Sequence, residues 1–178
     1  TPYRAYFEGA QFVHFLLGPA TVSLAVPLWR NAPLLKCAAL PVLAALVAGS
    51  VTAIVVALAV AAAFGVDDVL LATVAAKSAT APVAIGVAER MGGEPTLAAV
   101  LVLMTGLIGA LVATPLLNAL RVTDWRARGL SIGVAAHGLG TARAFQVNPT
   151  AGTFAGLGMG LNAILTALIA PWLLRLFL

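Results

Sequence analysis

Apart from Lys77 and Arg143, charged residues fall at segment ends along this chain, and the stretches between are apolar and of membrane length. Three of those stretches, Leu40 to Phe64, Pro95 to Leu120 and Gly152 to Leu174, carry no Asp, Glu, Lys or Arg. At about 1.5 Å of rise per residue, each is long enough for a hydrocarbon layer of about 30 Å, so each predicts a plain transmembrane helix. Between them lie stretches of similar length whose pattern is broken. Phe12 to Trp29 has Gly18-Pro19 in its middle and Pro27 near its end; Pro19 lacks an N–H for the carbonyl of Phe15 and, with Gly18, can open a new half-helix. Val69 to Ala88 contains KSATAP, where Thr73, Lys77 and Thr80 would share one helix face and Pro82 would leave the Ser78 carbonyl unpaired. Gly129 to Val147 holds Gly129, Gly133, Gly138 and Gly140; at about 1 kcal/mol per glycine relative to alanine, that density predicts an interruption, placed at Gly138 to Gly140, or very close packing.

The expected segments are therefore 11–29 (broken), 38–64, 69–89 (broken), 95–120, 128–147 (broken) and 152–175, in a single transmembrane domain over 1–178. A broken segment followed by a plain one recurs from Gln11, Val69 and Ala127, a spacing of 58 residues each time, and PATVSLAVPL lines up with SATAPVAIGV. Broken segments at corresponding places of internal repeats point to a transporter's binding site. The basic loops 30–36 and 121–128 both favour the cytoplasm, yet three segments separate them. Either the KSATAP segment enters and leaves on one face, or the charge rule is violated once.

Composition agrees with a membrane setting: 62% of residues are hydrophobic, 9% are charged and mean hydropathy is +1.06. A water-exposed surface cannot be coated with so little charge. The fold class expected is all-α, a polytopic bundle of transmembrane helices with interrupted or re-entrant segments and internal repeats. The net charge of +4 is spread singly over segment ends, which leaves no footprint for nucleic acid. The single cysteine, Cys37, reads as packing. No cleavable signal peptide is visible, and Thr1 reads as an internal position of a longer protein. No metal spacing, phosphate loop or dinucleotide fingerprint occurs, and no carboxylate stands near His137 to orient it; no cofactor, no metal and no enzymatic activity are expected.

The chemistry worth following lies inside the apolar segments. Lys77, His137 and Arg143, with His14 a weaker case, are basic there, and no Asp or Glu stands away from a segment end. A buried cation without a counter-charge needs carbonyls, water or a bound anion. Two half-helix starts, Gly18-Pro19-Ala20-Thr21 and Gly140-Thr141-Ala142-Arg143, would aim free N–H groups inward, the arrangement that captures anions. Together these predict a small anionic ligand, with Lys77, Ser78, Thr80, His137, Gly140, Thr141, Arg143, Gly18, Pro19, Thr21 and Asn162 as candidate binding residues. The competing readings are that Lys77 and Arg143 snorkel or pair with acids elsewhere, that His137 is a satisfied core imidazole, and that the hydroxyls bond their own helices. Gly152, Gly156 and Gly160 read as a packing stripe.

KSATAPVAIGVAERMGG (Lys77 to Gly93), AAHGLGTARAF (Ala135 to Phe145) and GTFAGLGMGLNAILTALIAP (Gly152 to Pro171), with LLGPATVSLAVPLW before them, resemble the LrgB/CidB family of bacterial membrane proteins over nearly the whole chain. The resemblance implies further membrane segments ahead of Thr1, a cell-membrane location and a small LrgA/CidA-type membrane partner, with homo-oligomers left open. It also implies one of two functions. The favoured one is transport of small monocarboxylates of the pyruvate, glycolate or glycerate class, held by Arg143 and Lys77, with His137 modulating protonation. The alternative is a holin- or antiholin-like module that regulates murein hydrolase activity and autolysis.

Overall fold

A computed structural model describes Trp29 and residues 32–178. The first broken segment, with Gly18, Pro19, Thr21 and His14, lies outside the described residues. The chain divides into two units, Thr1–Cys37 and Ala38–Leu178. Of the first, α1 spans Ala32–Cys37 with Lys36 in its last turn, where a cation complements the helix dipole.

The second unit is all helix among the described residues: α2 (Ala39–Ala63), α3 (Asp68–Val74), α4 (Ala81–Arg90), α5 (Pro95–Ala119), α6 (Trp125–Val147) and α7 (Pro149–Leu174). Helices α2, α5 and α7 are long and apolar enough to cross a membrane. On α5, Leu103, Leu107, Ile108 and Leu111 face outward, as suits a helix whose solvent is hydrocarbon. The polar residues between segments act as caps. Asp67 accepts from Leu70 N, Glu94 from Thr96 N, Asp124 from Arg126 N, and Asn148 from both Thr150 N and Ala151 N. These side chains satisfy amides that a helix start leaves without partners, and Pro95 and Pro149 occupy first turns where no N–H is needed.

Both interrupted segments fold back on themselves. In α6 the backbone leaves helical geometry at Ala136 and His137. Ahead of that break, Gly129 lies on the Ala151 carbonyl and Gly133 on the Ala155 carbonyl, so this arm runs parallel to α7. After it, Thr141 lies beside Met159 and Gly156, and Phe145 against Gly152, so numbering now falls along α6 as it rises along α7. The two arms are antiparallel and form a helical hairpin. Ile132 and Ala144, which would lie about 18 Å apart along a straight helix, meet in one cluster with Ala151 and Ala155.

The KSATAP segment does the same. Glu94 N donates to Thr73 Oγ1 at 2.8 Å, so the chain just beyond the return arm, α4, comes back to the last turn of the inward arm, α3. A straight passage would separate those residues by about 30 Å. Because α3 stops at Val74, Thr73, Lys77 and Thr80 do not share a continuous helix face, contrary to the sequence expectation; tight turns carry residues 75–79, with Lys77 N bonded to Val74 O and Ala79 N to Ala76 O. Ile54, Leu58, Leu71, Ala72, Ala84, Val87 and Val102 pack around this first hairpin and bring α2, α5 and α7 against it. The breaks, residues 75–80 and 136–137, are separated by about the expected repeat of 58 residues. Each hairpin is followed by one plain helix.

Candidate binding site at the hairpin tips

The tips of the two hairpins meet at Asn162, near the middle of α7. Its Nδ2 donates to Ser78 O at 3.0 Å and to Val134 O at 3.1 Å, one carbonyl from each tip. Its Oδ1 accepts from Ser50 Oγ of α2 at 2.6 Å and from Thr166 Oγ1 at 3.4 Å. The two carbonyls only accept, which fixes the orientation of the amide. The Ser78 carbonyl has no helical donor because α4 begins only after Thr80, so Pro82 is not the cause, and Asn162 supplies one. Ser50, Asn162 and Thr166 are almost wholly enclosed, so this is a fully satisfied buried network.

His137 is the residue at which α6 turns back, with φ 38° and ψ −131°. A left-handed φ is costly for a residue with a Cβ, and persists where neighbours over-determine it. Here the ring Nε2 bonds Val102 O of α5 at 2.8 Å, and Thr141 Oγ1 donates to the His137 carbonyl at 2.7 Å. Since Val102 O can only accept, Nε2 carries a proton. The ring lies where a Cβ on Gly106 would stand, and Ala136 lies close against Gly109. With its ring committed to a backbone carbonyl and the Thr141 hydroxyl to another, His137 forms no nucleophile and base pair among the described residues.

The half-helix start expected at Gly140-Thr141 is displaced: the break lies at Ala136 and His137, and Gly140 and Thr141 sit inside the return arm. Gly140 instead lets that arm close onto Ile132 and Ala136. At the other tip, α4 begins after Thr80, and no side chain caps its first turn. Lys77 stands in that tip, half-buried, its Nζ 3.4 Å from Ser78 Oγ and without a carboxylate partner among the described residues. The cation expected from sequence therefore stands beside an uncapped helix start. Arg143 is placed elsewhere: it is exposed on the return arm of α6, donates to Gln146 Oε1 at 3.2 Å, and has no hydrogen bond to Lys77, His137 or Asn162 among the described residues. The glycine stripe of α7 is tight at Gly152 alone; Gly156 makes one ordinary contact and Gly160 faces open space.

Sequence reasoning named Ser78, His137, Thr141 and Asn162 but missed Ser50, Thr166, Val102, Gly106 and Gly109. Gly106 and Gly109 carried a signal: they are two small residues a turn apart within bulky TGLIGA. Val102 carried none, because it contributes a carbonyl.

A helical membrane protein with two hairpins, whose tips meet midway along a spanning-length helix, is the class that fold and site define. The chain matches the model of the LrgB-like family over residues 1–176 and belongs to that family. It is 35% identical over 173 residues to protein YwbG of Bacillus subtilis (strain 168), covering 97% of this chain and 77% of that one. It is 33% identical over 175 residues to YxaC of the same strain, covering 98% and 76%. To "Holin-like protein CidB" of Staphylococcus aureus (strain N315) it is 31% identical over 175 residues, again covering 98% and 76%. No solved structure matches the chain.

Proposed function

We propose that this protein is a carrier for small monocarboxylates, of the pyruvate, glycolate or glycerate class, with the anion held at the hairpin tips. One observation carries the reading: two broken segments at equivalent places of a repeat converge on Asn162. Discontinuous helices meeting at mid-depth are the usual construction of a transporter site, since helix ends there offer unpaired backbone groups to a ligand. Lys77 supplies the positive charge, and the uncapped start of α4 supplies amides of matching polarity. Ser78 and Thr80 at one tip, and His137 and Thr141 at the other, are the polar groups that would orient the carboxylate. His137 then modulates protonation from the wall of the site, held by Val102.

The test is uptake of labelled pyruvate, glycolate and glycerate into proteoliposomes that still exclude larger solutes. Lys77→Gln is expected to cut uptake about tenfold or more, the scale of one charge-assisted contact, while inserting as the parent does. Parental rates in that variant would sink the assignment.

A second reading is a holin-like module that permeabilises the membrane or regulates murein hydrolases. The holin-like name of the CidB relatives favours it over the carrier, whereas the hairpin geometry favours the carrier. In the same vesicles, a pore releases a trapped dye larger than the substrates and shows no preference among carboxylates.

A further inference from the structure

The charges at the helix ends of the second unit are sorted by end, and the tip site uses none of them. Helix α5 starts at the mouth of the first hairpin, where Glu94 N meets Thr73, and finishes at the mouth of the second, where Ala113 and Leu117 pack against the cluster of Ala144 and Ala151. Helix α7 runs back, and Leu174 and Phe177 at its end pack with Leu71 and Met91 of the first hairpin. The two mouths therefore lie at opposite ends, about 38 Å apart. At the first mouth stand Asp67, Asp68, Glu89 and Glu94, against Arg90 and Arg175. At the second stand Arg121, Arg126, Arg128 and Arg143, against Asp124 alone. Lys77 lies between them, at a tip.

The acid of the second mouth is already answered. Arg126 grips both oxygens of Asp124, which holds that carboxyl down to about 2, so this pair presents little net charge. Arg121, Arg128 and Arg143 have no acidic partner among the described residues. Arg128 is 6% exposed, and its donors go to Val122 O at 2.9 Å and Thr114 O at 3.5 Å, carbonyls that satisfy hydrogens and bring no negative charge. Arg121 and Arg143 are exposed, and Arg143 bonds only the neutral Gln146.

Charges of one sign gathered at one end of an apolar bundle attract anions over about a screening length, which is about 10 Å at 0.1 M ionic strength and about 30 Å at 0.01 M. Exposed charges of this kind act on the rate of encounter more than on the complex once formed. Basic residues here also suit the orientation of the chain in the membrane. That role ends once the chain is inserted, whereas a field acts on every anion that approaches.

We propose that Arg121, Arg128 and Arg143 form an electrostatic funnel, which draws the small anionic substrate to this end of the protein and speeds its capture. The proposal rests on the carrier reading and adds to it residues that act without touching the bound carboxylate.

The experiment measures uptake of labelled pyruvate, glycolate and glycerate by the full chain in neutral phosphatidylcholine vesicles, in potassium chloride from about 0.01 M to about 0.5 M. The kcat/KM of the parent is expected to fall as salt rises. Arg121→Gln/Arg143→Gln is expected to lower kcat/KM about threefold to tenfold at the lowest salt, to leave kcat as it was, and to meet the parent at the highest. Arg121→Lys/Arg143→Lys keeps the charge and is expected to follow the parent throughout. Chloride competing at Lys77 would lower parent and variant alike, so it does not imitate that convergence. A ratio of variant to parent that is the same at every salt concentration would mark a structural or topological role and overturn the funnel. An equal loss from Arg90→Gln/Arg175→Gln, at the acidic end, would overturn it too. Absence of uptake by the parent would remove the carrier reading and the funnel together, whereas uptake independent of salt would remove the funnel alone.

Discussion

Each side of the Asn162 amide answers a different need. Its nitrogen closes two carbonyls that the chain breaks leave open, and its oxygen takes two hydroxyls from α2 and α7. Asn162→Leu keeps the approximate volume and removes both functions, so two carbonyls and two hydroxyls lose a partner in an almost wholly enclosed site. At about 1 to 3 kcal/mol per buried unsatisfied group, the protein is expected to lose several kcal/mol and to unfold at a clearly lower temperature in detergent. Asn162→Asp is expected to be no better, because an acceptor then faces two carbonyls. If either variant melts with the parent, the tips are not joined through this side chain. The polar type of Asn162 was legible in the sequence, and so was the orphaned Ser78 carbonyl. Their pairing was not, because it joins residues 84 apart through a fold-back that periodicity does not reveal. Arg143 shows the converse: its charge was legible, but which neighbour it serves depends on the direction in which the chain returns after His137.

At the scale of elements, the second hairpin explains why glycines cluster where the backbone is otherwise helical. Gly129 and Gly133 lie so close to the Ala151 and Ala155 carbonyls that a Cβ on either would meet backbone, which cannot rotate away. The inward arm and α7 touch main chain to main chain, the contact that small residues make possible between membrane helices. Gly133→Ala is thus an insertion into a closed seam and is expected to cost about 1 to 3 kcal/mol, read as a lower unfolding temperature in detergent, against little change for Gly160→Ala, which faces open space. Equal behaviour of the two would mean that the seam is looser than described. The same packing accounts for the shifted break. Sequence places it at Gly138 to Gly140, where backbone freedom is greatest. The chain reverses at His137 because the ring bond to Val102 and the Thr141 hydroxyl hold an unfavourable backbone there. Glycine density announced a discontinuity, and tertiary bonds chose its residue.

Across the molecule, hairpins change the count of membrane crossings and so the side on which every loop lies. If α2, α5 and α7 cross and the two hairpins return to the face they left, the start of α2 and the loop 121–128 share one face. Two crossings then separate them in place of three, which removes the conflict raised by counting three full crossings. The hairpins also enter from opposite faces, so hairpin plus helix becomes an inverted repeat whose tips meet at the midplane. This arrangement separates sharply from a chain that crosses at every segment. In a Cys37→Ser background, Asp68→Cys and Glu89→Cys flank the first hairpin, while Thr123→Cys and Gln146→Cys flank the second, all at exposed positions. A membrane-impermeant maleimide applied to intact cells is expected to label the first pair and to reach the second only after permeabilisation. If 68 and 89 label from opposite faces, the first hairpin crosses; if 123 and 146 do, the second does. In either case the tips could not be the meeting point of two re-entrant loops, and the tip site would lose the geometry that gives Lys77 a ligand to hold.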